Sequence, residues 1–272
     1  MQSFANKVVV ITGAASGIGR ALAQQLSREG AHLALSDVNM KGLEETRALL
    51  SGSGKVTLNT LNVADREAFE AYATQVIADH GQADAIINNA GVALSETVAN
   101  MSYEDMEWIV NINFWGVVYG TKAFLPHLQS RPEAAIINIS SIFGIIALPT
   151  QAAYNATKFA VRGFTESLRQ ELAGTGVFVT TVHPGGIKTN IVRNGRMKTS
   201  LAGEKDHATQ ITEFEKMART TPAQAADVII SGVKQQKRRI LIGADARLMD
   251  RIQRWFPVRY SGIFGWVLKK LA

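Results

Sequence analysis

The sequence predicts an α/β fold with a parallel sheet covered on both faces. Short β-branched runs and amphipathic helical stretches alternate along the chain, the pattern of βαβ units. The first unit is a strand, a glycine-rich turn and a helix in immediate succession. No repeat, linker or low-complexity block breaks the 272 residues, and 46% hydrophobic content can fill the substantial core of one large domain.

Residues 7–12 (KVVVIT) are a buried strand by composition. Gly13, Ser16, Gly17, Ile18 and Gly19 follow, and residues 20–29 have helical spacing with Ala21, Leu22 and Leu26 on one side. Glycines there let the backbone turn tightly and approach a pyrophosphate, held where a helix N-terminus leaves amides free. A plain β–α turn is the alternative, and the glycine spacing is wider than in the common dinucleotide fingerprint. The second strand, 33–36, ends at Asp37. An acid placed there accepts hydrogen bonds from adenosine ribose hydroxyls and repels a 2′-phosphate, which favours NAD(H) over NADP(H). Neither Ser36 nor Val38 adds a compensating positive charge, and Arg20 is expected to point along its helix. A helix cap or loop aspartate is the other reading of Asp37.

Residues 40–50 read as a helix, 51–54 as a turn and 56–61 as a strand. Asn62 and Val63 then lead to Asp65, placed to cap a helix that runs to His80. His80 precedes Gly81 and reads as a capping or solvated residue. The strand 85–87 ends in Asn88-Asn89-Ala90-Gly91, small residues and amides that suit a crevice where backbone passes close to a ligand. Residues 102–129 predict a long helix interrupted at Asn113-Phe114-Trp115-Gly116, where a polar Asn needs hydrogen-bond partners. The strand 134–139 ends in Ser140-Ser141, the helix 151–174 follows, and the strand 177–182 runs into His183-Pro184-Gly185-Gly186-Ile187-Lys188-Thr189. Residues 190–220 are polar and aperiodic, a candidate mobile flap. A helix over 223–234 and a short strand over 239–242 complete the alternation.

Within the helix 151–174, Tyr154 and Lys158 are four residues apart and share one face. A free tyrosine, with a pKa of roughly 10, exchanges protons sluggishly at neutral pH. A fixed positive charge beside it favours the phenolate and should pull that pKa toward the range of a general acid/base. An amphipathic helix with a surface Tyr and Lys fits the same spacing.

Taken together the motifs resemble those of the short-chain dehydrogenase/reductase family, in its compact single-domain form. They are Thr12-Gly13-x-x-x-Gly17-x-Gly19, Asn88-Asn89-Ala90-Gly91, Asn113-x-x-Gly116, Ser140-Ser141, Tyr154-x-x-x-Lys158 and Pro184-Gly185, in family order over nearly the whole chain. The resemblance implies a Rossmann-like, doubly wound, seven-stranded parallel sheet in three α/β/α layers that binds NAD(P). It implies a dinucleotide-binding and catalytic domain over 1–243, with 244–272 as a basic C-terminal extension of the same domain. Carried onto this chain, it makes Tyr154 the general acid/base and Lys158 the group that lowers its pKa and holds the nicotinamide ribose. Asn113 would anchor a proton-relaying water, and Ser141 would bind the substrate oxygen, leaving Ser140 without a direct role. The cofactor would touch Gly13, Ser16, Gly17, Ile18, Gly19, Asp37, Asn62, Val63, Asn89, Ala90, Gly91, Pro184 and Gly185, with Ile187 and Thr189 holding the carboxamide. Two features depart from the family pattern. Asn62 stands where many members carry an aspartate, and the common Asp-Gly-Gly ending is missing.

The resemblance implies hydride transfer between NAD(H) and a carbonyl or secondary alcohol. Apolar Phe143, Ile145, Ile146, Leu148 and Pro149 favour a hydrophobic substrate. A 3-oxoacyl-thioester reductase of the same fold and a non-catalytic dinucleotide-binding regulator are the alternatives; Asp37 counts against the first and the intact Asn113/Ser141/Tyr154/Lys158 set against the second. No metal is expected, since the histidines show no ligand spacing. A homodimer or homotetramer pairing through the helices 102–129 and 151–174 is expected, with Ala152, Ala156 and Ala160 allowing close approach.

The chain carries a net charge of +6, concentrated in its tail: from Lys237 onward nine Lys/Arg meet two Asp/Glu, against twenty and twenty-one before it. Nucleic-acid binding is therefore not expected. Without cysteine, disulfides and thiolate metal sites are excluded and a reducing cytoplasm is permitted. The first apolar run is too short for a signal peptide and no stretch reaches the length of a membrane span. The expectation is a cytoplasmic protein. In 245–256, Leu248, Met249, Ile252, Trp255 and Phe256 share a helix face opposite Arg247, Arg251 and Arg254; Pro257 ends that helix and a second apolar run, 260–268, closes with Lys269-Lys270. This segment either lies in a membrane interface with its arginines on anionic head groups, or packs its apolar face on the core or a partner subunit.

Overall fold

A computed structural model of the protein describes residues 1–199 and 207–262. The first half comprises β1 (Val8–Thr12), α1 (Gly17–Arg28), β2 (His32–Asp37), α2 (Met40–Ala48), β3 (Val56–Thr60), α3 (Arg66–His80), β4 (Ala85–Asn88), β5 (Leu94–Ser95), α4 (Tyr103–Val110), a π-helical turn (Asn111–Trp115) and α5 (Gly116–Gln129). Then come β6 (Ala134–Ile139), a 3-10 turn (Ile142–Gly144), α6 (Ala152–Glu171), β7 (Val177–Pro184), β8 (Arg196–Met197), α7 (His207–Met217), α8 (Pro222–Lys234), β9 (Arg239–Ile242) and α9 (Ala244–Trp255).

Seven strands pair in the order β3-β2-β1-β4-β6-β7-β9, every pairing parallel. All five residues of β1 are buried, as a strand covered on both faces requires. Side-chain alternation sorts them: Val9 and Ile11 join Leu22, Leu26 and Ile229 on the α1/α8 side, whereas Val10 joins Phe69, Ile86 and Phe124 on the α3/α5/α6 side. The strand order reverses between β1 and β4, and the crevice at such a switch point, beyond the strands' carboxyl ends, is where open α/β sheets bind ligands.

Local signals set several boundaries. Asp65 caps α3 through the Ala68 N–H at 3.0 Å, and Gly81 ends it in the left-handed region at φ 75°. His80 places its Nε2 2.9 Å from Thr57 Oγ1 and so ties α3 to β3. The expected helical interruption is the π turn, where Asn113 is held by Val92: Oδ1 accepts the Val92 N–H at 2.8 Å and Nδ2 donates to its carbonyl at 2.9 Å.

Two expectations change. The stretch 190–220 is not uniformly irregular: β8 pairs with β5, and α7 follows. Residues 200–206 of that predicted flap lie outside the described residues. What holds β8 is non-local and leaves no periodic trace: buried Asp105 accepts from Arg196 at 2.9 Å and from Lys198. The tail helix also forms, but its predicted apolar face divides. Met249 and Ile252 pack with Ala246 on Ile142, Ile145 and Ile146, while Leu248, Trp255 and Phe256 remain exposed. The run 260–268 lies outside the described residues from 263 on, as do Lys269 and Lys270. Among the described residues no helix is long and apolar enough to cross a membrane.

Candidate active site

Tyr154 and Lys158 lie on the inner face of α6, both buried, with Lys158 Nζ 5.6 Å from the Tyr154 ring centroid. Ser141 follows the strand β6 and caps the 3-10 turn, its Oγ accepting the Phe143 N–H at 3.1 Å. Phe143 meets the Tyr154 ring edge-on, with centroids 6.0 Å apart and planes at 89°. Asn113 joins the group from the π turn, donating through Nδ2 to Thr157 Oγ1 at 3.3 Å. Residues from three elements, 45 positions apart at the extremes, thus converge at the carboxyl ends of β4 and β6.

The electrostatics correct the expectation of a depressed tyrosine. Burial raises Tyr154 to about 12, and its hydrogen bond with the Ser141 hydroxyl offsets this only in part. Burial also lowers Lys158 to about 8, so the ammonium is itself costly in this place. Its Nζ donates to the Ile139 carbonyl at 3.1 Å. Desolvation disfavours both charged forms and is the largest cause of each shift.

Several residues that sequence reasoning passed over hold this group in place. Ser140 Oγ donates to the Lys158 carbonyl at 2.8 Å, pinning α6 to the end of β6. Asn155 donates through Nδ2 to the carbonyls of Phe143 and Ile146, both at 2.9 Å, and shapes the loop after Ser141. His183, fully buried on β7, places Nδ1 2.9 Å from the Ser141 carbonyl oxygen. Its position at the end of a strand, next to the Pro184 turn, was the available signal.

The crevice fits a dinucleotide. Gly13 (φ 67°) has left-handed backbone, and a Cβ on Gly19 would lie 2.2 Å from the Gly13 carbonyl oxygen, so only glycines permit this cradle. Ser16 precedes α1 without capping it through its side chain, and Ile18 lies in the first helical turn. Asn89 clamps the loop from the far side, donating through Nδ2 to the carbonyls of Thr12 (3.0 Å) and Gly13 (3.1 Å). The Ala90 N–H bonds Thr12 Oγ1 at 3.1 Å, and Gly91 faces Asn113 and Lys158. Asp37 sits at the end of β2, its carboxylate accepting from the Ala15 N–H (3.1 Å) and the Asn39 N–H (3.0 Å). Arg20 does not follow its helix axis as expected. It crosses to α2 and bonds Thr46 Oγ1 (3.0 Å), Glu45 (2.9 Å) and the carbonyls of Ala15 and Gly42, so its charge is already paired. Asn62 Oδ1 accepts from the Ala64 N–H at 3.1 Å, while Val63 is buried against Gly116. Pro184 and Gly185 lead to Ile187, which bridges to Thr220, and to Thr189, whose methyl a Cβ on Gly17 would approach to 3.2 Å. When bound, a nicotinamide dinucleotide would supply hydride chemistry to this crevice.

Above Tyr154 the lining is apolar. Leu94, Ile109 and Ala153 are buried with it, and Val92, Met101, Met106, Trp108, Phe143 and Ile191 pack around them.

These arrangements have counterparts in known proteins. The short chain dehydrogenase family profile matches residues 7–199. The oxidoreductase SadH of Mycobacterium tuberculosis strain H37Rv is 48% identical over 265 residues, covering 96% of this chain and 95% of that protein. The 3-oxoacyl-[acyl-carrier-protein] reductase FabG of Thermotoga maritima is 33% identical over 225 residues, covering 82% and 89%. A short-chain dehydrogenase/reductase from Burkholderia phymatum, solved in complex with NAD, superposes with a TM-score of 0.86 at 26% identity, covering 94% of this chain and 95% of that one. With its doubly wound sheet and glycine cradle, this chain belongs to the short-chain dehydrogenase/reductase family of NAD(P)-dependent oxidoreductases.

Proposed function

We propose that the protein interconverts a hydrophobic carbonyl compound and its secondary alcohol, with NAD(H) favoured over NADP(H). The observation that carries this reading is the convergence of Ser141, Tyr154 and Lys158 under the apolar lining of Leu94, Ile109, Phe143 and Ile191. In the reductive direction Ser141 and Tyr154 donate to the carbonyl oxygen as charge develops there, and Tyr154 delivers its proton. Lys158 holds the ribose and supplies positive charge to the phenol, while Asn113 anchors the water through which Lys158 is reprotonated. In the oxidative direction each role reverses. The apolar lining excludes water and selects substrates by burial of hydrocarbon. Asp37 supports the NAD(H) preference: a carboxylate at the end of β2 repels a 2′-phosphate, and the nearby Arg20 is spent on Glu45 and on backbone carbonyls.

The test is a screen of aliphatic, aromatic and steroid-sized ketones and alcohols against NAD(H) and NADP(H), read by absorbance of the reduced nicotinamide. The reading requires turnover of an apolar member with NAD(H). Turnover confined to 3-oxoacyl thioesters with NADPH would replace it with the activity for which the Thermotoga relative is named.

The assembly proposed is a homodimer or homotetramer working in the cytoplasm, built from one domain with 244–272 as its extension. Exposed Trp115, stacked on Tyr119 at 5.6 Å, and exposed Phe159 lie on the two helices expected to pair, and a monomer by light scattering at micromolar concentration would rule this out. The outer side of α9 is proposed to rest on an anionic lipid surface. Trp255 is 79% and Val258 85% exposed, Leu248 and Phe256 are exposed as well, and Arg247, Arg251, Arg254 and Arg259 are exposed along the same segment. The one acidic residue of 246–262, Asp250, is buried against Arg239 and Arg254. An exposed segment bearing both apolar side chains and arginines, with its acid buried, complements a negatively charged interface.

A further inference from the structure

The carboxylate of Asp245, in the first turn of α9, lies far along the chain from the family motifs, yet it touches the loop that follows β7. Its Oδ2 accepts the Gly186 N–H at 2.8 Å. A Cβ on Gly185 would meet Oδ2 at 2.2 Å, and one on Gly243 would meet Oδ1 at 2.2 Å, so two glycine backbones close directly on the carboxylate. On the other side of the same loop, the Lys188 N–H donates to the Thr220 carbonyl at 3.0 Å and the Thr220 N–H to the Gly186 carbonyl at 3.3 Å. The Gly185 N–H donates to the Ile242 carbonyl at 2.9 Å. The loop is therefore clamped between the start of α9 and Thr220.

We propose that Asp245 is a positioning residue for the nicotinamide half of the cofactor. It fixes the glycine-pair backbone from which Ile187 and Thr189 reach the carboxamide, and so rests on the cofactor roles proposed for those two residues. Consecutive glycines lose more conformational freedom on ordering than any other pair, so the loop holds one geometry only if something outside it supplies the tie. A charge-assisted N–H···O bond is about twice as strong as a neutral one. A carboxylate in the first turn of α9 is also favoured by the positive end of the helix dipole. Gly186 could find no such partner within its own loop, which is why the tie comes from 59 residues away. The adenosine half of the cofactor is served by other residues, the glycine turn after β1 and Asp37, and none of these touches Asp245.

The two halves can be separated with ligands. Dissociation constants for NADH and for ADP-ribose, which lacks the nicotinamide, are measured by calorimetric titration on the full chain and on Asp245→Ala. The variant is expected to bind NADH roughly tenfold more weakly, the loss of one charge-assisted hydrogen bond, while ADP-ribose binding stays within about twofold. Asp245→Asn retains an acceptor oxygen and should recover most of the NADH affinity. Asp245→Ser, too short to reach Gly186 but well suited to a helix start, carries the alanine expectation should that variant fail to fold. Unchanged NADH affinity in the Ala or Ser variant overturns the proposal, and so does equal weakening of both ligands, which would signal general damage. Failure of the unmodified protein to bind either ligand would instead overturn the cofactor reading on which the proposal rests.

Discussion

His183 Nδ1 lies 2.9 Å from the backbone carbonyl oxygen of Ser141, so an imidazole on β7 steadies the peptide that carries the proposed substrate-binding hydroxyl. A carbonyl can only accept, which fixes the proton on Nδ1. Nε2 is buried and makes no hydrogen bond among the described residues. Burial is the main reason the ring is lowered to about 4, and nearby Arg239 and Arg162 act in the same direction; the bond to Ser141 and the charge of Asp250 oppose them.

Acid should therefore weaken the fold through His183. The folded pKa lies below the ordinary 6.5, so the neutral ring contributes stability above pH 6.5 that is lost as pH falls toward 4. The loss approaches about 3 kcal/mol at full protonation. Thermal unfolding of the parent and of His183→Asn between pH 4 and 7 measures it. The variant should have the flatter profile, and parallel profiles would remove His183 as the cause.

Removing the phenolic hydroxyl should separate chemistry from binding. Tyr154→Phe is expected to lower turnover by roughly 10²- to 10⁴-fold, the usual contribution of a positioned acid/base, with NADH affinity nearly intact. Lys158→Met should reduce both, because the ammonium serves the phenol and the ribose. Near-normal turnover in the Phe variant would remove Tyr154 from its role.

Cofactor choice should follow Asp37. Asp37→Ala is expected to narrow the preference for NADH, and Val38→Arg, at an exposed position, to move it toward NADPH. The ratio of kcat/KM for the two cofactors decides the matter. A parent protein that favours NADPH would reverse this reading.

Asp105 should control how firmly the segment carrying β8 is held over the site. The carboxyl is lowered to about 2, first by its bond with Lys198 and also by those with Arg196 and Ser102, while burial opposes the shift. A depressed carboxyl stabilises above the ordinary 3.8, and that stability is lost as pH falls toward 2. At neutral pH, Asp105→Ala should cost roughly 2 kcal/mol by denaturant titration, since both partners are half-exposed and recover water. It should also raise KM for an apolar substrate, because β8 loses its anchor beside β5. An unchanged KM would separate Asp105 from the substrate pocket.

The exposed apolar and arginine side chains at the end of α9 should carry the protein to anionic vesicles. Co-sedimentation with phosphatidylserine-containing liposomes is expected to weaken as salt rises, because the attraction is screened within about 10 Å at 0.1 M. Trp255→Ser with Val258→Ser should reduce it without lowering the melting temperature, since both side chains are exposed. Absence of salt-sensitive binding by the parent would leave the patch to a partner subunit.

The strand runs, the glycine turn after β1 and the common face of Tyr154 and Lys158 were readable because each is a local pattern. Their information lies in composition and in periods of two or 3.6 residues, which short windows carry. Whether buried charges keep their ordinary pKa values is not such a pattern. Lys158 was expected to depress Tyr154, but burial at the convergence of β4, β6 and α6 raises it instead. Arg20 was expected to follow its helix, yet Glu45 and the Gly42 carbonyl on α2 turn it aside. The tail face read as one surface was divided by the 3-10 turn beneath it, which offers room to Met249 and Ile252 but not to Trp255. His183 with Ser141, Asp105 with Arg196 and Asp245 with Gly186 are 42, 91 and 59 residues apart. The order in which the strands pair decides such meetings, and with them which carbonyl, amide or charge each side chain faces.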